Sequence, residues 1–101
     1  MARKSSVQNN LKRQRLQDKY AKKRVDLVEK TKNKELSIEE KFQISMALAK
    51  LPRNSSKVRY RNRCALTGRP RGFNRKIGVS RTAIRDLAGK GFLPGVIRAS
   101  W

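Results

Sequence analysis

The sequence predicts a mainly α protein with extended and irregular segments: a long basic N-terminal helical arm, a short amphipathic helix, and a small C-terminal module rich in arginine and glycine. Three observations predict it. Residues 5 to 34 are rich in Lys, Arg, Gln, Leu and Ala and hold no Gly or Pro, a composition that favours uninterrupted helix. Ser37-x-x-Glu40 has the form of a capping box ahead of an apolar run. After Pro52 the helix-forming pattern gives way to arginine, glycine and turn residues.

The arm, from about Ser5 to Lys34, carries Val7, Leu11, Leu16, Tyr20, Val25, Leu27 and Val28. These form a broken stripe, so burial in the protein's own core supports little of this helix and it is expected to lie along another molecule. The second helix, from about Ser37 to Leu51, opens with the serine hydroxyl and the Glu40 carboxylate satisfying free backbone amides. Glu39 and Glu40 suit its positive end. Ile38, Phe42, Met46 and Ala49 recur at spacings of three and four, and Pro52 prevents easy continuation. This stripe is either a protein-facing surface or an intramolecular contact. Ser80 is placed to cap a last helix running to about Ala88, with Ala83, Ile84 and Leu87 as its apolar side and Gly89 or Gly91 ending it. Pro94-Gly95 gives a turn. Residues 1–52 are thus arm and middle helix and residues 53–101 the C-terminal module, one chain folding on a partner rather than two independent domains.

Charge narrows the function. The 101 residues carry 27 Lys plus Arg against 7 Asp plus Glu, a formal net charge of +20. Self-repulsion at that density opposes compaction, and a polyanion, nucleic acid, is the natural partner. The longest charge-free run, Phe42 to Ala49, is too short to span a membrane. Membrane-surface helices also need a continuous apolar face that the arm lacks. Residues 1 to 17 hold Arg3, Lys4, Lys12, Arg13 and Arg15 without a carboxylate; this composition fits a retained RNA-binding arm better than an organellar transit segment, because its apolar content is thin. A single cysteine, Cys64, excludes an intrachain disulfide and points to a reducing compartment. There is no histidine, which removes the commonest general base and metal ligand. Asp86, the only carboxylate after Glu40, is better suited to pairing with Arg81, Arg85 or Lys90 than to catalysis. No catalytic residue, cofactor or small-molecule substrate is expected.

The chemistry lies in the basic residues. Between positions 53 and 85 stand Arg53, Lys57, Arg59, Arg61, Arg63, Arg69, Arg71, Arg75, Lys76, Arg81 and Arg85, without one acid. Arginine outnumbers lysine, as suits bidentate phosphate contacts. Lys57, Arg59, Arg61 and Arg63 alternate, so in an extended strand they would project from one face about 7 Å apart, close to a phosphate repeat. Gly68-Arg69-Pro70-Arg71-Gly72 combines backbone freedom, a rigid turn and two guanidinium groups. Tyr60, Phe73 and Phe92 are placed either to stack on unpaired bases or to pack a small core.

The segment RNRCALTGRPRGFNRKIGVSRTAIRDLAGKGFLPGVIRASW, Arg61 to Trp101, closely resembles the C-terminal module of small-subunit ribosomal protein family fourteen in its bacterial and organellar form. The diagnostic pieces are Gly68-Arg69-Pro70, Arg75-Lys76, Arg85-Asp86-Leu87-Ala88, Leu93-Pro94-Gly95-Val96 and Ala99-Ser100-Trp101; the basic arm and middle helix are similar to the family's longer form. The resemblance implies a zinc-ribbon-like module. Some members hold zinc on cysteines at positions that correspond to Cys64, Thr67, Ser80 and Ala83. One thiol, two hydroxyls and a methyl do not make a structural zinc site, so no metal is expected, and Cys64 becomes a small buried hydrophobe rather than a reactive thiol. The resemblance further implies a structural constituent that binds small-subunit ribosomal RNA and supports assembly of the subunit head near the decoding region. Neighbouring proteins three, ten and nineteen would be its contacts, in a cytoplasmic ribosome or, alternatively, a mitochondrial or plastid one. The expected RNA-binding residues are Arg3, Lys4, Lys12, Arg53, Lys57, Arg59, Arg61, Arg63, Arg69, Arg71, Arg75, Lys76, Arg81 and Arg85. The alternative function is a general nucleic-acid architectural protein without a preferred site.

Overall fold

A computed structural model describes residues 1–100; Trp101, the last residue of the resembling segment, lies outside the described residues. The architecture is mainly helical. Helix α1 spans Lys4–Lys32, α2 Ile38–Lys50 and α3 Arg81–Gly89, with one two-stranded sheet of β1 (Phe73–Asn74) and β2 (Val79–Ser80). Two compact units emerge: Met1–Gln8 with Arg61–Trp101, and Asn9–Tyr60.

The longer unit in sequence terms, residues 9 to 60, holds most of α1 and all of α2. The Ser37 hydroxyl accepts from the Glu40 amide and the Glu40 carboxylate accepts from the Ser37 amide, both at 3.3 Å, so the capping box forms as its spacing predicts. The face α2 turns inward is Ile44, Ala47 and Leu48, half-buried, whereas Ile38, Phe42 and Met46 are exposed. Beyond Pro52 the backbone makes two 3-10 turns, Arg53–Ser55 and Lys57–Arg59. This corrects the extended reading for Lys57 and Arg59, whereas Arg61 and Arg63 follow in irregular, non-helical backbone. No neighbouring strand supplies ladder partners there, and the turns satisfy the amides internally: Arg59 N–H donates to Ser56 O at 3.2 Å and Tyr60 N–H to Lys57 O at 3.3 Å. With three residues per turn, Lys57 and Arg59 no longer share a face.

Arginines hold this unit together. The Arg24 guanidinium donates from Nε and Nη2 to Ser55 Oγ at 3.1 and 3.0 Å, and from Nη2 to the Pro52 carbonyl at 3.4 Å. Ser55 is almost wholly buried and its hydroxyl donates to the same carbonyl. Arg13 Nη1 reaches Arg59 O at 3.4 Å, and Arg59 Nη1 donates to Asn54 Oδ1 at 2.9 Å. Side chains of α1 thereby fix the turns that follow α2.

The other unit is built on a hairpin and a helix. Phe73 pairs with Ser80 and Asn74 with Val79, antiparallel. The loop between them closes through Gly78 N–H to Asn74 O at 2.7 Å and Lys76 N–H to Asn74 Oδ1 at 3.0 Å. Ser80 ends β2 and caps α3, accepting from the Ala83 amide at 3.4 Å. At the far end Gly91, at φ +81°, donates to Ala88 O, and Phe92 N–H donates to Leu87 O at 3.0 Å. That pair of bonds is a Schellman motif, and it selects Gly91 over Gly89 as the terminator. Cys64, Val79 and Ala83 form the buried apolar core, with Ile84 and Leu87 packed against it.

The segment 64–69 folds back through Gly68 N–H to Cys64 O at 2.9 Å and Cys64 N–H to Arg69 O at 3.0 Å, while Ala2 N–H donates to Thr67 O at 3.1 Å. Gly68 has φ +73°, and a Cβ built on it would lie 2.9 Å from Val7 Cγ2 and 3.1 Å from Ala2 Cβ. Gly78 has φ +79° with nothing near its missing side chain. Gly68→Ala is therefore expected to cost about 1 kcal/mol of strain plus an overpacking term of about 1 to 3 kcal/mol, and Gly78→Ala the strain alone. Hydrogen exchange at the Cys64 and Gly68 amides checks it: protection falls sharply for the first variant and little for the second. Arg24→Ala, which removes both donors to the buried Ser55 oxygen and leaves only its bond to Pro52 O, is expected to destabilise residues 52–60 by about 1 to 3 kcal/mol, against a few tenths for the exposed Lys23→Ala.

Candidate nucleic-acid interface

The fold distributes the fourteen expected RNA-binding residues unevenly in their freedom. Arg3 precedes α1, and Lys4 and Lys12 lie on it, all exposed. Arg53, Lys57 and Arg59 sit on the two 3-10 turns with exposed side chains. In the other unit Arg61, Arg71, Arg75, Lys76, Arg81 and Arg85 are exposed, whereas Arg63 and Arg69 are half-buried.

Exposure alone does not make these residues equivalent. Arg61 Nε donates to Pro70 O at 3.2 Å and Arg63 Nη1 to Gly68 O at 2.9 Å, so both guanidinium groups help tie residues 61–63 to the Gly68–Gly72 turn. Arg63 Nε is buried and finds no acceptor among the described residues. Arg59 is partly engaged by Asn54. By contrast Arg71, Arg75 and Lys76 project from the turn and the hairpin loop as exposed side chains. The Arg81 stem crosses Gly72: a Cβ at Gly72, whose φ is +64°, would stand 3.1 Å from Arg81 Cγ, and Arg81 N–H donates to Gly72 O at 2.8 Å. The glycine–arginine turn thus lies against the Arg81 stem at the start of α3, with Arg71 the residue before Gly72. A hollow of about 390 Å³ is lined by Met1, Ala2, Thr67, Arg69, Pro70 and Thr82, with Arg69 as its one guanidinium group.

Two arginines were not legible as structural from sequence. Arg13 and Arg24 are half-buried and bond to the protein's own chain. Their only signal was their spacing on the arm, which does not distinguish them from neighbouring cations. Among the aromatics, Tyr60 and Phe73 are half-buried, and Phe92 is exposed.

Cys64, Thr67, Ser80 and Ala83 converge. Cys64 and Ala83 share the core, and the side chains and backbone amides of both Thr67 and Ser80 are directed at the Cys64 sulfur. Burial pushes the thiol pKa up, but these hydrogen bonds outweigh it and bring the value down from 9.0 to about 6. Cys64 is therefore buried as expected but is a hydrogen-bonded thiol rather than a plain hydrophobe. Among the described residues no three His, Cys, Asp or Glu side chains lie together to hold a metal, and no helix is long and apolar enough to cross a membrane.

Because the folded-state pKa is depressed, this thiol's contribution to stability is present in full above about pH 9, declines as pH falls and is lost below about pH 6. Thiolate absorbance near 240 nm should titrate near pH 6 in the folded chain, and Thr67→Val should move the midpoint upward; a midpoint unchanged by that substitution would contradict the assignment.

Residues 47–100 match the family described as ribosomal protein S14p/S29e. Over all 101 residues, and over the whole of each relative, the chain is 54% identical to the small ribosomal subunit protein uS14 of Roseobacter denitrificans, 55% to that of Orientia tsutsugamushi (strain Boryong) and 52% to that of Rickettsia prowazekii.

Proposed function

The chain belongs to the ribosomal protein S14p/S29e family, and from that premise we propose that it binds small-subunit ribosomal RNA at a defined site and supports assembly of the subunit head near the decoding region. It is a structural ribosomal protein of the small subunit and not an enzyme. The observation that carries the RNA reading is the acid-free run from Arg53 to Arg85, folded so that Arg71, Arg75, Lys76, Arg81 and Arg85 face solvent from one compact unit.

The mechanism is neutralisation with shape selection. Phosphates displace condensed counterions at the exposed cations, which supplies affinity. The fixed geometry of the turn and hairpin selects the RNA contour. Arg3, Lys4 and Lys12 of the arm, Arg53, Lys57 and Arg59 on the 3-10 turns, and Arg69 in its hollow extend the contact. Arg61 and Arg63 combine phosphate binding with holding the turn. Proteins three, ten and nineteen are the neighbours this reading assigns. The full-length relatives come from bacteria, which supports a bacterial-type ribosome in the cytoplasm as the place of action.

The Arg61-to-Ser100 part is, on this reading, a zinc-ribbon-like module whose metal centre has become a knot of hydrogen bonds about Cys64. Thr67 and Ser80 stand where two ligands would, and Ala83 closes the fourth side. The triple variant Thr67→Cys, Ser80→Cys, Ala83→Cys should bind one zinc ion tetrahedrally, read by cobalt substitution spectra; failure to bind would separate this module from the ribbon geometry.

In the protein as it stands, neutralising about eight phosphates predicts a fall in RNA affinity of about four decades between 50 and 200 mM salt. Arg71→Ala with Arg75→Ala should lower the slope by about two and weaken binding without altering helix content. Ultraviolet crosslinking in cells should focus on one region of small-subunit ribosomal RNA. Crosslinks scattered in proportion to RNA abundance would instead support a general architectural protein.

A further inference from the structure

We propose that Phe92 stacks on one unpaired nucleotide of the bound RNA and so fixes where the C-terminal residues sit along it. Sequence leaves Phe92 two roles, core packing or base stacking, and the fold removes the first, because the ring is 70% exposed. Exposure alone would not single it out, since scattered apolar residues are normal on a surface. Its backbone does. Gly91, at φ +81°, donates to Ala88 O at 3.1 Å and Phe92 N–H donates to Leu87 O at 3.0 Å, closing the Schellman motif at the end of α3. In that motif the side chain after the glycine commonly rests on the residue at the Leu87 position. Here Leu87 packs against the core of Cys64, Val79 and Ala83, and the Phe92 ring keeps most of its surface open. A second turn follows at once: Val96 N–H donates to Leu93 O at 3.5 Å, with Gly95 at φ +79°. The ring is thus carried between two closed turns.

Charge and chemistry choose the occupant. Residues 81 to 100 hold Arg81, Arg85, Lys90 and Arg98, all exposed, against Asp86 alone, which stands one helical turn before Lys90. Lys90 lies two residues before the ring, and Arg98 two residues beyond the second turn. An aromatic ring flanked by cations is the composition that holds single-stranded nucleic acid: the cations follow phosphates while the ring takes the face of a base. A protein contact fits less well, because interface centres are depleted in lysine. The kind of nucleotide follows from RNA geometry. In an A-form stem the bases are stacked on one another and the deep, narrow major groove admits no side chain, so only a nucleotide in a loop, a bulge or an end can receive the ring. Every base has such a face, so Phe92 selects an unpaired position rather than a particular base.

This inference rests on the small-subunit RNA-binding reading, and one titration series separates the two. The full chain, Phe92→Leu and Phe92→Tyr are titrated with transcribed small-subunit ribosomal RNA, and with an unrelated RNA of equal length, from about 50 to 200 mM salt. Phe92→Leu should weaken binding to the ribosomal RNA about tenfold, the loss of one stacked base. Phe92→Tyr, which keeps the ring, should bind within about twofold of the parent. The slope of affinity against salt should be the same for all three, because no phosphate contact changes, and circular dichroism should be unaltered. Equal affinity of Phe92→Leu and the parent, or a shallower slope in that variant, would overturn the stacking role and leave the RNA reading intact. Failure of the parent to prefer the ribosomal RNA would overturn both. Phe92→Leu that binds the RNA like the parent yet enters small subunits poorly would assign the ring to a protein neighbour, against the proposal. Ultraviolet irradiation of assembled subunits should join Phe92 to a single unpaired nucleotide; an adduct at a base-paired one would also overturn it.

Discussion

A chain whose buried apolar residues, among those described, are Cys64, Val79 and Ala83 cannot rely on burial to hold together a net charge of +20. Apolar burial stabilises by about 25 cal/mol per Å², and three small side chains supply little of it. The rest of the structure answers to that shortage. The largest fully buried side chains are serines, Ser55 and Ser80, each tied into hydrogen bonds at the end of a local element. Arginines that would repel one another in solution are instead spent on carbonyl oxygens: Arg24 on Pro52, Arg13 on Arg59, Arg61 on Pro70 and Arg63 on Gly68. Such bonds give modest net stability, but they fix loops that no core could fix.

The same logic explains the centre around Cys64. A thiol packed among apolar groups would ordinarily hold its proton more tightly. Directing amides and hydroxyls from Thr67 and Ser80 at the sulfur reverses that tendency and joins residues 64–67 to residues 80–83 by polar contacts where burial is insufficient. The close approach of Val7 and Ala2 to Gly68 covers the outside of this segment. Local backbone geometry and the small core therefore support each other, and neither is sufficient alone.

Much of this was legible in the sequence where the determining interaction is local. The capping box at Ser37 and Glu40, the Ser80 cap and the gap-free helical arm each depend on residues within four positions of one another, and each forms where its pattern places it. Legibility failed where the deciding partner is distant or missing. Alternation from Lys57 to Arg63 suggests a strand, but a strand needs a neighbour, and without one Lys57–Arg59 closes into a 3-10 turn. The stripe Ile38, Phe42, Met46 is periodic, yet periodicity states only that a face exists and not which face turns inward; the inward one is Ile44, Ala47 and Leu48. Arg13 and Arg24 differ from Lys12 and Lys23 in what they meet, which is set by turns 46 and 31 residues away.

Charge is segregated along the chain in a way that fits a division of labour. Residues 18 to 50 hold nine cations and six acids, while residues 51 to 101 hold thirteen cations and one acid. A polyelectrolyte surface that must follow phosphates gains nothing from acids placed within it, because each one cancels a contact and raises the local repulsion. A surface that must meet a protein gains from mixed charge around an apolar row, because rim charges set orientation and exclude wrong partners. The arm's distal half and α2 are mixed in charge, and the C-terminal residues are almost purely cationic. The acids of this chain are thus segregated by position: residues 53 to 85 hold none, and six of the seven lie between Asp18 and Glu40.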